Sequence, residues 1–407
     1  MQYRMLTIPL LFFMMFLSLA PLGAGMDIVG FEVACHDGSQ QNPSVSGTVV
    51  VWEDSRSGNE DIYGYDLLTG TEFPICILES IQCSPDISGT IVVWEDYRSG
   101  NADIYGYDLS TGTEFSICTD TSGQYQPRIS GNKVIWADGR NGNTYDIYGY
   151  DLLEKTEFSV SVETFNRRHP DISGDIVVWK DFRNFKRNIY GYDLSTYTEF
   201  AIYIDCPEQI QIAVSGDIVV LNDKRNGNYD IFGIDLSTGT QFPICIDGSN
   251  QLYPAISGSI VVWGDSRSGN ADIYGYDLSL EMEFPICTDG FNQCNPAISG
   301  SFAVWDDWRN ENQSYVYDIY GALFDSNTPA SPVFFFRPVA ASLLDSVSEK
   351  WQSVLDSMPE TMAGDEVQLL NGAQLHLKHA CMLSNPVYAT GELYKALDLL
   401  DQVSAML

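Results

Sequence analysis

The phrase Trp-x-Asp-x-Arg, followed by Asp-Ile-Tyr-Gly-Tyr-Asp-Leu, returns every 42 or 43 residues with small changes. Its Trp position falls at Trp52, Trp94, Trp136, Trp179, Leu221, Trp263 and Trp305. A repeat of this length is one supersecondary unit that buries its apolar faces only by stacking on its neighbours. In the second copy, Ser84–Gly89, Thr90–Asp96, Asp103–Leu109 and Glu114–Thr119 are short β-type runs separated by Ser-Gly, Gly-Asn and Thr-Gly turns. Four such strands make one antiparallel blade. Seven copies predict an all-β chain with a closed seven-bladed β-propeller over 26–325.

The ends of the array predict how the ring closes. The seventh copy stops after Asp318-Ile319-Tyr320-Gly321-Ala322-Leu323 and lacks a fourth strand. Phe31 to Asp37 ends in Ala34-Cys35-His36-Asp37, which matches Ile286-Cys287-Thr288-Asp289. The N-terminal strand is therefore expected to complete the last blade and remove an open edge.

Outside the array, Arg4 and the apolar run Leu6–Ala20, followed by Leu22-Gly23-Ala24, read as a signal peptide over 1–25. No later run is long enough to span a bilayer, so the expected locations are secreted, cell-surface or periplasmic. Asn327-Thr328-Pro329-Ala330-Ser331-Pro332 reads as a linker, placed at 326–340. Over 341–407, Leu344, Val347, Trp351, Val354 and Met358 follow helical spacing, as do Leu393, Ala396, Leu397, Leu400 and Val403. A small helical hairpin or bundle is expected there.

The chain carries 55 Asp and Glu against 21 Lys and Arg. That field repels phosphate backbones and excludes a general nucleic-acid binder. Of nine Cys, Cys35, Cys76, Cys118, Cys245 and Cys287 share one repeat position, where Ser161 and Tyr203 stand in the other copies. A second Cys follows seven residues after two of them, and export permits bridges. Disulfides Cys76–Cys83 and Cys287–Cys294 are expected, with buried free thiols as the alternative.

The pattern Pro-x-Ile-Ser-Gly, then Ile-Val-Val-Trp, then Asp-Ile-Tyr, then Glu-Phe-x-Ile-Cys-Thr resembles the propeller repeats of TolB-type proteins in exported and cell-surface versions. The resemblance covers roughly 31–324. It implies an exported propeller that binds partners, and it implies no catalytic residue set.

Asp and Arg recur together in every copy, from Asp54 and Arg56 to Asp307 and Arg309. A pair present in every blade is expected to hold the blade together. Calcium in these loops is the alternative, disfavoured by an Arg inside the loop and by the absence of an EF-hand's Gly and Glu. Function is expected where the copies differ. Six of the 21 basic residues lie between Arg167 and Arg187. Arg167, Arg168, His169, Phe182, Phe185, Lys186 and Arg187 form a candidate anion-binding patch, because guanidinium forks suit carboxylates and Phe rings can stack. Asn310 to Tyr317 lengthens the seventh copy, and Trp308 beside it is a further candidate. Only four His occur, with His376 and His379 the one close pair. No Gly-x-Ser-x-Gly elbow or phosphate loop is present. A propeller lyase acting on pectin fragments would need a His cluster on the central face, and none is visible. These features predict a non-catalytic protein-interaction scaffold, not an enzyme, whose partner is a protein. The alternatives are an acidic-glycan binder and a polysaccharide-cleaving enzyme.

Overall fold

A computed structural model describes residues 28–324 apart from 143, 163–164, 205–210 and 310–315. The stretches expected to be a signal peptide, a linker and a helical tail with His376 and His379, and most of the seventh-copy insertion, lie outside the described residues.

The strand pattern follows from the repeat. The first blade is Gln40–Ser46, Val49–Asp54, Asp61–Asp66 and Thr71–Cys76, hydrogen-bonded in that order. Six further four-stranded antiparallel sheets complete the propeller. In each, the innermost strand packs on the innermost strand of the next blade, and the circle closes between the first and seventh. The last sheet takes its outermost strand from the N-terminus, with Ile28–Ala34 pairing antiparallel to Asp318–Phe324. Ring closure by the first strand is thus as the sequence predicts.

The core lies between blades. Trp52, Trp94, Trp136, Trp179, Trp263 and Trp305 are buried, and Leu221 fills the place in the fifth blade. Trp94 packs with Val51, Ile62 and Ile75 of the preceding blade, so each indole seals one interblade seam. A buried ring of this size removes about 150–250 Å² from water. The Gly in Asp-Ile-Tyr-Gly-Tyr admits a neighbouring ring: a Cβ on Gly64 would lie 2.7 Å from the Phe73 ring.

The repeated Asp and Arg form a clamp. In the third blade, Trp136 Nε1 donates to Asp138 Oδ2 at 2.7 Å. Arg140 donates from its amide and Nε to Asp138 Oδ1 at 2.8 and 2.9 Å. Its Nη1 reaches Glu157 on the outer strand at 2.5 Å, and its Nη2 reaches Cys118 Sγ of the preceding blade at 3.2 Å. The guanidinium also lies 4.2 Å over the Tyr148 ring. One side chain therefore joins the inner and outer strands of its blade and touches the blade before it.

This clamp corrects the disulfide expectation. Cys76, Cys83, Cys287 and Cys294 carry no bridges. Cys76 lies on the outermost strand of its blade, against Arg98 Nη2 at 3.5 Å. Cys83 lies on the innermost strand of the next blade, against Glu95 at 3.8 Å. Cys287 and Cys294 repeat the arrangement against Arg309 and Asp306. Each pair is separated across the width of a blade, and burial pushes the Cys76 thiol up to about 12.

Candidate functional site

The inner strands surround a channel with a cavity of about 530 Å³. Six of the seven inner strands bulge at the residue before proline. Asn42, Ser84, Gln126, His169, Tyr253 and Asn295 occupy this place with φ between 48° and 57°. Such a backbone costs roughly 1–3 kcal/mol for a residue with a Cβ and persists only where its surroundings hold it.

At three of the six, what holds it is a carboxylate from the preceding blade, at the middle position of Trp-x-Asp. Glu53 accepts from the Ser84 amide at 2.6 Å, Glu95 from Gln126 at 2.7 Å, and Asp306 from Asn42 at 2.9 Å. Burial pushes Asp306 up to about 8, with Glu53 adding repulsion, against the opposing bonds from Asn295 and the Asn42 amide.

The third to sixth blades carry no carboxylate at this position, with Ala137, Lys180, Asn222 and Gly264 in its place. Lys180 stands where those carboxylates stand, half-buried and lining the channel. The following blade has Gln211-Ile212 in place of a residue and proline. Its inner strand, Ile212–Ser215, is short and pairs without a bulge. The Gln211 amide turns to Asn222 Oδ1 of its own blade at 2.5 Å. Lys180 makes no hydrogen bond or ion pair among the described residues. Desolvation lowers its ammonium to about 8.

Two other basic groups line the same channel. Arg128 Nη1 donates to the Pro127 carbonyl at 2.8 Å. The His169 amide donates to Gln126 Oε1 at 2.8 Å, and Gln126 Nε2 lies 2.9 Å from His169 Nδ1. Desolvation, followed by Lys180, Arg128 and Arg168, lowers the His169 imidazole to about 4. Below them, Asp86 accepts from the Ile129 amide and from Ser44 Oγ, and Asp171 accepts from the Val214 amide. Burial raises Asp171 to about 6 against Arg128 and these amides. Arg128, His169 and Lys180 thus share the channel lining with the two acids Asp86 and Asp171.

The patch expected from sequence separates into three parts. Arg167 is fully buried, pairing with Asp146 at 2.9 Å and Asp181 at 3.2 Å, in the place that Gln40, Gln82, Gln124, Gln251 and Gln293 take elsewhere. It is a structural cation and cannot meet a surface ligand. Arg168 lies 4.4 Å over the Tyr145 ring, and His169 faces the channel. Phe182 joins the two loops through its amide bond to the Asn166 carbonyl at 3.0 Å. Phe185, Lys186 and Arg187 are exposed on or beside the 3₁₀ turn Arg183–Phe185. Trp308 packs edge-on against Tyr317, with ring centroids 4.9 Å apart, in the seventh blade. The sequence reading missed Lys180 and Arg128. Their signal was there: the middle residue of Trp-x-Asp runs Glu53, Glu95, Ala137, Lys180, Asn222, Gly264, Asp306.

Cys287, Asp289 and Asp307 also converge as metal-type donors. Arg309 Nη2 already meets all three, at 3.5, 3.0 and 2.5 Å, so a fixed cation occupies their centre.

No protein-family model and no curated protein matches the chain. Solved structures do match. A prolyl endopeptidase aligns with 72% of this chain and 51% of its own, at 12% identity and TM-score 0.57. The chain thus spans about half the length of that enzyme. An oligogalacturonate lyase from Vibrio parahaemolyticus aligns over 73% of this chain and 96% of its own, at 12% identity and TM-score 0.53. The propeller domain of the Trilobed protease from Pyrococcus furiosus aligns over 73% of this chain and 100% of its own, at 13% identity and TM-score 0.56. At these identities the likeness shows the propeller fold alone. It also corrects the expectation of a non-catalytic scaffold that is not an enzyme. The neighbours are enzymes or the propellers of enzymes, so the lack of a catalytic motif in the repeats does not argue against catalysis.

Proposed function

We propose that the chain is an exported enzyme of the TolB-like propeller class that takes a carboxylate-bearing substrate into its central channel. The observation that carries this reading is Lys180. It stands where three other blades have a buried structural carboxylate, faces the channel without a partner among the described residues, and coincides with the loss of the bulge it would otherwise have to hold. A residue that has left the structural scheme of its repeat is available for chemistry.

The cluster suits removal of a proton next to a carboxylate. Arg128 offers a planar fork for the anion. His169 is neutral at physiological pH and offers a hydrogen bond. Lys180, lowered to about 8, supplies an appreciable fraction of free amine to accept the proton. In a uronic acid that proton lies on the carbon beside the carboxylate. Its transfer to Lys180 forms the carbon–carbon double bond as the carbon–oxygen bond on the next carbon breaks. The departing oxygen takes a proton from the new ammonium or from water to leave as an alcohol. Among the neighbours, the oligogalacturonate lyase is matched over nearly its whole length, whereas the prolyl endopeptidase has a further half outside the match. That difference favours chemistry within the propeller.

The test is ultraviolet detection of the conjugated double bond released from trigalacturonate and from mannuronate and guluronate oligomers. The reading expects turnover by the purified protein and none by Lys180→Met. Absence of both turnover and binding across these substrates would sink it.

A further inference from the structure

We infer that Gln126 is a positioning residue that holds His169 as its Nε2–H tautomer, so that the channel presents a fixed neutral donor beside its cations. The inference rests on the channel reading above and adds to it how one of its groups recognises substrate.

The chemistry follows from one side chain with two ends. Gln126 Oε1 accepts the His169 amide at 2.8 Å. A backbone amide can only donate, so the end of Gln126 facing it must be the oxygen. The other end is then the amide nitrogen, 2.9 Å from His169 Nδ1. That nitrogen can only donate, so Nδ1 carries the lone pair and the ring proton sits on Nε2.

The repeat explains why a glutamine does this. Ser84 and Gln126 have their amides held by Glu53 and Glu95. The third blade has Ala137 at that position, so the His169 amide needs an acceptor from elsewhere, and Gln126 supplies it. A carboxylate in the same place would also accept from Nδ1–H, turn the ring over and favour its charged form. The amide excludes both. Arg128, Arg168 and Lys180 face the ring and oppose its protonation, while Asp86 and Asp171 lie below it in the channel, engaged by Ile129 and Val214. The substrate group that meets Nε2 must therefore be an acceptor, such as a carboxylate or hydroxyl oxygen.

Nitrogen NMR of protein labelled at histidine tests this directly. The wild type should show His169 with its proton on Nε2 and remain neutral until the pH falls to about 4. Gln126→Glu keeps an acceptor for the His169 amide, and it should move the proton to Nδ1 and raise the titration by at least one pH unit. Trigalacturonate binding should weaken about tenfold in this variant. A wild-type ring protonated on Nδ1, or a tautomer unchanged in Gln126→Glu, overturns the inference. If Gln126→Glu fails to fold, the wild-type spectrum still decides the tautomer. If trigalacturonate binds neither protein, the substrate reading fails while the tautomer stands on its own.

Discussion

The Gly47 amide donates to Ser299 Oγ at 3.0 Å, across the seam between the seventh blade and the first. The same bond recurs at each of the other six junctions, from Gly89 to Ser46 through Gly300 to Ser257, at 2.9–3.0 Å. The Ser-Gly turn of every repeat is thus one link in a closed ring. Removing the seam link with Ser299→Ala should cost about 1 kcal/mol in urea unfolding. Gly47→Ala should cost as much or more, because φ is +58° and the penalty is in the backbone rather than in crowding.

The Trp-Asp-Arg clamp should dominate stability. Asp138 is fully buried and receives bonds from the Trp136 indole and from Arg140. Asp138→Ala leaves the buried indole without its acceptor and the half-buried Arg140 with Glu157 as its remaining carboxylate, and should cost about 2–3 kcal/mol. Loss of less than about 1 kcal/mol would show that the clamp is ornamental.

The same clamp sets an acid limb. Burial alone would raise Asp54, Asp181 and Asp265, but bonds from Arg56, Arg183 and Arg267 and from the adjacent indoles outweigh it and hold all three below the usual carboxylate range. A depressed carboxylate stabilises the fold above its unfolded value and stops doing so as pH falls through its folded value. The melting temperature should therefore hold near pH 5 and drop steeply below about pH 4.

Asp306 predicts the opposite limb. Its carboxyl, raised to about 8, favours the folded state when protonated. That contribution is full below the ordinary carboxylate range and is lost as pH rises through about 8. Melting temperature should decline between about pH 4 and pH 8 in the wild type, on account of this group, and the decline should be shallower in Asp306→Asn. An identical slope in both would assign the decline elsewhere.

Arg167→Gln restores the residue that five other blades carry, yet it strips the partner from Asp146 and Asp181. Destabilisation of about 3 kcal/mol with unchanged substrate affinity is expected. Weaker affinity at unchanged stability would return Arg167 to the ligand site.

The architecture was legible because the repeat writes each strand seven times. Even the swapped closing strand shows itself, since Ala34-Cys35-His36-Asp37 carries the signature of an outer strand. The site was harder to read. Arg167 and Arg168 are adjacent in sequence, but a strand sends alternate side chains to opposite faces. One entered the core and the other the surface. The paired cysteines likewise looked close at seven residues, while a blade's width lies between them. Lys180 was passed over because it sits inside the most regular phrase of the repeat, where variation reads as noise. Only the hydrogen bonds of Glu53, Glu95 and Asp306 show what that position normally does, and so what Lys180 has given up.

The most direct measurement is equilibrium binding of trigalacturonate to the wild type and to Lys180→Glu. The substitution reverses the charge at this point of the channel lining, and the melting temperature of the variant checks that it folds. The account predicts that it binds at least about tenfold more weakly, with the wild-type affinity falling as pH rises past about 8 and the ammonium is lost. A well-folded Lys180→Glu variant that binds as tightly as the wild type would contradict the assignment of the channel as the site.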